Sequence, residues 1–339
     1  MMILGIESSC DETAISVITN KGEVLAHILF SQIEEHNKFG GVIPEFAARS
    51  HLSVIESLII TLQEKYKINL DNIDAFCATA GPGLMGGLLV GVLVAKTLSF
   101  LYNKPFLAIN HLQAHALLPT MNNNIKYPYL LLLVSGGHTQ FLACLEVNKY
   151  KILGQSIDDA IGEAFDKSAR LLGLGYPGGK KIEELAKKGN PNAFSFPKPL
   201  QYSKECNFSF SGLKTALKNV VENLSYIDDD IKCDICASLQ KTIVEIVLDK
   251  TKNAITTFEN VYGKLSNMVI SGGVSANFHL RESLENYLHC IGVELLVPEV
   301  NLCTDNAVMV AWCGLKRYEL GLFDDLDFKV RSRWSLEDI

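Results

Sequence analysis

Two histidines four residues apart, His111 and His115 in the run NHLQAHALLP, form the pair in this chain best suited to holding a metal ion. On a helix, residues i and i+4 share a face, with Cβ atoms ~5–6 Å apart, so both imidazoles can reach one cation. A zinc peptidase would carry a glutamate directly after the first histidine as its general base. Leu112 stands there, and peptide hydrolysis of that kind has no base. The same spacing also fits two polar helix residues at a partner surface. The run CTDNAVMVAW offers Asp305 at the start of another helix, either as a third ligand or as the helix N-cap. Two histidines and a carboxylate would leave coordination positions open to substrate or water.

Gly-rich turns form the second group. Ser135-Gly136-Gly137 and Ser271-Gly272-Gly273 each let backbone N–H groups approach a ligand, and successive amides can cradle phosphate without a lysine. No G-x-x-x-x-G-K-[ST] is present, and no G-x-G-x-x-G stands in a Rossmann context. The loop Gly81-Pro82-Gly83 to Gly86-Gly87 opens an apolar helix, where close packing explains the glycines as well as a ligand would. Among acidic residues, Glu7, Asp11 and Glu12 fall at the mouth of a first hairpin, and Asp166 lies in GEAFDKSARLLG. Asn277 follows the second SGG turn, as a ligand group or a helix cap.

These residues need an α/β scaffold. Ile3–Glu7 and Ala14–Ile18 read as strands joined by a polar turn, and Ser50–Tyr66 has helical periodicity. Strand Ile73–Thr79 leads through AGPGLMGG into helix Leu88–Tyr102, and strand Phe106–Ile109 leads into a helix opening at Asn110. Leu130–Val134 and Met268–Ser271 are apolar strands that each run into Ser-Gly-Gly, and the last helix spans about Asn306–Leu320. The paired SGG turns read as a loose internal echo of two similar α/β halves. Phe194–Leu213, rich in Pro, Phe and Ser, reads as a long ordered loop.

At 339 residues, 48% hydrophobic and 20% charged, the chain is long enough for two lobes and rich enough in apolar residues to fold. Apolar stretches such as Leu130–Val134 fall short of the ~20 residues of a membrane span, and the N-terminus has no signal-peptide pattern. Nine scattered cysteines fit a reducing, cytoplasmic compartment, and Cys233-x-x-Cys236 reads as part of an ordinary helix. The net charge of −7 means that any RNA substrate needs local basic patches or a partner.

Nine ordered blocks give the chain a family resemblance. ESSCDET (7–13), HNKFGGVIPEFAARSH (36–51), GPGLMGGL (81–88), NHLQAHALLP (110–119), LVSGGHT (133–139), GEAFDKSARLLGLGYPGG (162–179), FSFSGLKTA (208–216), SGGVSAN (271–277) and CTDNAVM (303–309) resemble the bacterial-type tRNA N6-adenosine threonylcarbamoyltransferases. That family was formerly called O-sialoglycoprotein endopeptidase, a label Leu112 argues against.

The resemblance implies a two-lobe, actin-like and Hsp70-like ATPase fold with a ligand cleft between the lobes. It places residues 1–110 plus 307–339 in the N-terminal lobe and 111–306 in a second lobe carrying the metal and most ligand residues. It implies one divalent metal, Fe(II) favoured over Zn(II), on His111, His115 and Asp305. It implies a threonylcarbamoyl-AMP site of Val134, Ser135, Gly136, Gly137, His138, Asp166, Gly179, Glu183 and Asn277, and an acyltransferase acting on adenosine 37 of tRNAs that read codons beginning with A. Glu12 is the candidate for assisting proton removal. The implied partners are tRNA, a separate synthase that makes the adenylate, an inactive paralogue and a small ATPase, with no membrane.

Some positions depart from the family pattern. Lys180-Lys181 follow YPGG where Pro and a variable residue are usual, Glu183 replaces Asp, and Ser332 and Ser335 replace prolines in the tail. Lys329, Arg331 and Arg333 of that tail are either tRNA-phosphate contacts or a solvated basic strip.

Overall fold

The computed structural model describes residues 1–37, 39–123 and 125–339; Lys38, inside the HNKFGG block, and Asn124 lie outside the described residues. The chain divides into two compact units: Met1–Ile125 with Leu145–Tyr150 and Asp305–Ile339, and Lys126–Cys144 with Lys151–Thr304.

In the first unit, strands β1 (Met2–Glu7), β2 (Glu12–Thr19) and β3 (Val24–Ser31) precede helices α1 (Ile33–Asn37) and α2 (Pro44–Glu64). Then come β4 (Ala75–Gly81), α3 (Met85–Tyr102), β5 (Phe106–Asn110) and α4 (His111–Leu117). The sheet order is β3-β2-β1-β4-β5, with β1–β2 and β2–β3 antiparallel and β1–β4 and β4–β5 parallel. The second sheet carries β6 (Tyr129–Val134), β7 (Thr139–Glu146) and β8 (Lys149–Gln155), followed by α5 (Ile161–Leu171), α6 (Gly178–Ala186), α7 (Ser211–Asn223) and α8 (Asp229–Tyr262). The elements β9 (Asn267–Ser271), α9 (Phe278–Cys290) and β10 (Glu294–Leu296) complete that unit, and α10 (Ala307–Glu319) returns to the first.

The second sheet runs β10-β9-β6-β7-β8, with β6–β7 antiparallel and β6–β9 and β9–β10 parallel. Read from its other edge, that is the strand order of the first sheet. The duplication expected from sequence is therefore present, but the SGG turns are not its matched parts. Both lie in the second unit, at the ends of the adjacent parallel strands β6 and β9. The counterpart of the β6–β7 hairpin is the β1–β2 hairpin, whose turn is Ser8–Asp11.

The boundaries differ from the expectation in one consequential place. His111, His115 and Asp305 all belong to the first unit, whereas a boundary at 110 put the metal residues in the second. Helix α4 follows β5 without a break, so a cut there would divide a continuous strand–helix connection.

Strands β1, β4 and β6 are nearly continuous apolar runs because each is covered on both faces. Helix α2 begins at Pro44, six residues before the periodicity of its interior becomes visible. Helix α3 corrects the membrane reading, since its 18 residues have mean hydropathy 1.7, long and apolar enough for a short span. It lies against β4 and α2 and buries Leu88, Val92, Ala95 and Leu98 on one face, while Leu89 and Leu93 stay exposed on the other.

Gly5 lets α10 lie directly on β1, since a Cβ there would collide with the Ala307 carbonyl oxygen and the Ala311 nitrogen. Trp312 Nε1 donates to the Leu117 carbonyl at 3.1 Å and to Thr120 Oγ1 at 3.0 Å, tying α10 to the end of α4. Arg317 pairs with Asp324 at 3.1 Å, and Asp324 accepts from the Ala108 amide at 2.8 Å, fixing the other end of α10 against β5. These contacts hold Asp305 opposite the two histidines.

Candidate metal centre and ligand loops

Helix α4 starts where Asn110 makes it start. The Asn110 Oδ1 accepts from the Leu112 and Gln113 amides at 2.9 and 3.3 Å, and its Nδ2 donates to the Trp334 carbonyl at 3.1 Å. The first helical residue is then His111, one turn before His115, with ring centroids 4.8 Å apart and planes at 87°. Asp305 Oδ1 stands 3.0 Å from His115 Nε2 and 3.4 Å from His111 Nε2. The N-cap of α10 is the next residue, Asn306, whose side chain accepts from the Met309 amide at 2.9 Å. Asp305 is therefore spared the capping role that sequence left open.

The three candidate ligand atoms lie within 4.8 Å of one another. The far side of His111 is also engaged: its Nδ1 is 3.2 Å from Glu7 Oε2 and 3.2 Å from Ser9 Oγ. Glu7 accepts further bonds from Thr79 Oγ1 at 2.6 Å and from the Ser9 amide at 2.7 Å. A carboxylate behind Nδ1 fixes the ring and leaves Nε2 facing Asp305, as metal-ligating histidines require. Two imidazoles and one carboxylate could hold a single divalent ion, with the buried Glu7 carboxylate behind them as an outer partner.

The electrostatics agree. Burial opposes charge on His111, but Asp305 and then Glu7 outweigh it and raise its pKa well above 6.5. Burial alone would raise Glu7 and Asp305, yet His111 draws both below the usual carboxylate range. The metal-free centre thus keeps a proton where a metal would put its charge. Glu12, first residue of β2, behaves oppositely: burial and then Asp11 and Asp305 push its carboxyl well above the usual range. The Cys10 thiol is raised by burial and then Asp11, and stays protonated.

The Gly81–Gly87 loop serves packing. A Cβ on Gly83 would stand 2.6 Å from the Ser9 carbonyl oxygen, and Cβ atoms on Gly87 and Gly91 would collide with the Ser8 carbonyl and hydroxyl oxygens. These glycines bring α3 against the turn that carries Ser9, and Ser8 Oγ donates to the Gly87 carbonyl at 2.9 Å.

The second unit gathers the other expected residues. Val134 ends β6 and the buried Ser135 follows it, while Gly136 and Gly137 are exposed, with open space where Cβ atoms would be. The Ser135 amide donates to the His138 carbonyl at 2.8 Å and closes the turn. Gly272, at φ +97°, meets this turn from β9, since a Cβ would collide with the Val134 carbonyl. The start of α5 abuts it through Gly162, whose Cβ would lie 2.6 Å from the Ser135 carbonyl. Asp166 Oδ1 accepts from the Gly178 amide at 2.7 Å, beside Gly179 at the start of α6. Glu183 Oε1 accepts from the Phe278 amide at 2.8 Å. Asn277 caps α9 through the Leu280 amide at 2.9 Å and donates to Gln240 Oε1 at 3.1 Å. Its capping alternative is thus realised, and Asp166 and Glu183 tie loops together.

Sequence reading missed Thr79 and Ser9 as partners of the centre; the visible signal for Thr79 was a hydroxyl in an otherwise apolar, fully buried strand. In the tail, Arg331 lies over the Phe328 and Trp334 rings at 5.2 and 5.0 Å, and its amide donates to the Ala80 carbonyl at 2.8 Å.

Two duplicated α/β units with a His-His-Asp centre define an actin-like ATPase-fold protein with a candidate metal site. Several solved structures share this fold. T. kodakarensis HypF matches with TM-score 0.64 at 15% identity, covering 95% of this chain and 48% of that one. Component A of the Acidaminococcus fermentans (R)-2-hydroxyglutaryl-CoA dehydratase matches with TM-score 0.54 at 15% identity, covering 94% and 99%. A family model described as tRNA N6-adenosine threonylcarbamoyltransferase matches residues 23–312. Proteins of that name from Rickettsia rickettsii (strain Sheila Smith) and Rickettsia bellii (strain OSU 85-389) are 51% and 52% identical, covering 99% of this chain and 98% and 99% of their own lengths. The chain belongs to the tRNA N6-adenosine threonylcarbamoyltransferase family and is a transferase.

Proposed function

We propose that this chain transfers the threonylcarbamoyl group from threonylcarbamoyl-AMP to the N6 amine of adenosine 37 in tRNAs reading codons that begin with A. A C–N bond forms at N6, the bond from the carbamoyl carbon to the phosphate oxygen breaks, AMP leaves, and the amine gives up a proton. An exocyclic adenine amine is a poor nucleophile, which is why the acyl group arrives as a mixed anhydride.

The observation that carries the reading is the His111–His115–Asp305 centre, backed by Glu7 and Ser9, in a chain of this family. These three residues would hold one divalent metal, Fe(II) in preference to Zn(II), which when bound supplies a Lewis acid and an orienting charge. Glu12 is assigned the amine proton; its raised pKa makes it a stronger base than an ordinary glutamate once ionised. In the second unit, the turn Val134–His138 is assigned the adenylate phosphate through the amides of Gly136 and Gly137, where there is open space. Asp166, Gly179, Glu183 and Asn277 are assigned the rest of the adenylate; their present bonds to neighbouring loops would keep that surface in shape.

The proposal includes cytoplasmic action with three protein partners: the synthase that makes the adenylate, an inactive paralogue and a small ATPase. The exposed apolar side chains Met85, Leu89 and Leu93 along α3 give a paralogue a surface of suitable character. Lys329 and Arg333, both exposed, are assigned to tRNA phosphates.

Reconstitution tests the reading. Purified chain, synthase, both partners, tRNA, ATP, bicarbonate and labelled threonine should place label in adenosine 37. Absence of label with confirmed adenylate and folded protein would contradict it.

A further inference from the structure

The block from His36 to His51 plays no part in the site described so far, yet it holds a buried chain of polar side chains. The Ile43 amide is 3.4 Å from His36 Nδ1, and His36 Nε2 is 3.2 Å from Gln32 Oε1. Gln32 Nε2 is 3.4 Å from His51 Nδ1, which also meets Thr13 Oγ1 at 2.8 Å. His51 Nε2 ends the chain 3.0 Å from the Cys10 carbonyl. Thr13, Gln32, His36 and His51 are all buried, so water does not substitute for these partners.

The two ends of this chain fix the direction of every bond in it. A backbone amide can only donate, so His36 Nδ1 accepts and its Nε2 carries the proton. A backbone carbonyl can only accept, so His51 Nε2 carries its proton and its Nδ1 accepts. Gln32 fits between them in one orientation alone, oxygen toward His36 and nitrogen toward His51. Burial lowers the pKa of His51, which keeps it in the neutral form that this pattern needs.

The chain ends on the turn that serves the metal centre. Cys10 lies between Ser9, whose Oγ is 3.2 Å from His111 Nδ1, and Asp11, whose carbonyl accepts from the Gln32 amide at 3.0 Å. The Leu84 amide holds the Ser9 carbonyl at 2.7 Å on the other side. The outer end carries two exposed rings: Phe46 stands edge-on to His36 at 5.5 Å, and Phe39 lies 6.2 Å from Phe46.

We propose that His36, Gln32 and His51 are positioning residues, a one-way hydrogen-bonded relay that sets the Ser9–Glu12 turn against His111 and joins it to the Phe39–Phe46 segment. The relay acts on turn geometry and metal uptake and does not depend on which group the enzyme transfers.

Two measurements on the full chain test it. Ring ¹⁵N NMR of the metal-free protein should find His36 and His51 both neutral with the proton on Nε2. A proton on Nδ1 of either ring overturns the relay, and this result needs no variant. Gln32→Met cuts the chain in the middle and leaves His51 its Thr13 and Cys10 partners. It should weaken Co(II) binding by about two- to fivefold, less than the 10- to 100-fold of a partner bonded directly to a ligand, because Gln32 acts through His51 and the turn, and it should shift the visible absorption of bound Co(II). His51→Gln, which keeps a donor for the Cys10 carbonyl, should bind Co(II) more tightly than His51→Leu. Folded Gln32→Met with wild-type Co(II) affinity and spectrum overturns the proposal, because a merely structural role would lower only the melting temperature.

Discussion

Replacing Glu7 by glutamine tests the metal centre from behind. The side chain keeps its size, and Glu7 is fully buried, so the change is one of charge and hydrogen-bond polarity. One carboxylate oxygen now meets His111 Nδ1 at 3.2 Å and Thr79 Oγ1 at 2.6 Å, and the other meets the Ser9 amide at 2.7 Å. An amide has only one acceptor oxygen, so one arm must turn an N–H toward a donor. Loss of such an outer carboxylate weakens metal binding by about 10- to 100-fold, or roughly 1.4–2.7 kcal/mol.

The same change lowers the pKa of His111, which Asp305 and Glu7 together hold well above 6.5. At neutral pH the wild-type metal must displace that proton, and the variant has less of it to displace. The weakening should therefore be smallest at acidic pH and grow as pH rises through the wild-type His111 value. Competition against a chromogenic chelator across that range gives the affinities. Calorimetry in buffers of different ionisation enthalpy counts the released proton, about one for wild type at neutral pH and fewer for the variant. Affinity within twofold of wild type at every pH, with equal proton release, would refute the reasoning.

Other perturbations have definite outcomes. Asn306→Ala removes the α10 cap beside Asp305 and should cost about 1 kcal/mol, a melting-temperature drop of about 2–4 °C, together with weaker metal binding. Glu12→Gln should slow transfer by about 10²- to 10⁴-fold, the usual worth of a general base, and leave adenylate binding intact; wild-type turnover would remove Glu12 from the mechanism. Because the fold raises the Glu12 pKa, the folded metal-free chain binds more protons than the unfolded one between the unfolded and folded values, and its stability falls as pH rises through that window. The glutamine variant should therefore be more stable than wild type at neutral pH, and its thermal unfolding should depend less on pH. Gly87→Ala forces a Cβ into the Ser8 carbonyl and should destabilise the first unit by about 1–3 kcal/mol, visible as a lower midpoint in denaturant.

The parts of this molecule that were legible from sequence are those governed by local chemistry. Apolar runs ending in Ser-Gly-Gly located β6 and β9, and the spacing of His111 and His115 put both on one helix. Strand β3 was not legible because its residues alternate irregularly between buried and exposed. Whether Asp305 caps a helix or faces the histidines depended on which of two adjacent polar residues begins α10, a choice settled by packing of α10 on β1 and α4. The roles of Glu7 and Thr79 depend on β1 lying beside β4, a pairing between segments some 70 residues apart that no local pattern encodes. The SGG turns misled for a related reason, since two alike turns on neighbouring strands of one sheet look, in sequence, like one turn in each of two halves.

Everything proposed for this chain depends on the His111–His115–Asp305 centre serving transfer to tRNA. The most direct test supplies preformed threonylcarbamoyl-AMP and tRNA to metal-loaded wild type and to His111→Ala, in the presence of the partner subunits, and measures AMP release against threonylcarbamoyl-adenosine in digested tRNA. Wild type should release one AMP per modified adenosine, and the variant should lose both products together with its bound metal. Modification at the wild-type rate by a folded, metal-free His111→Ala would contradict it.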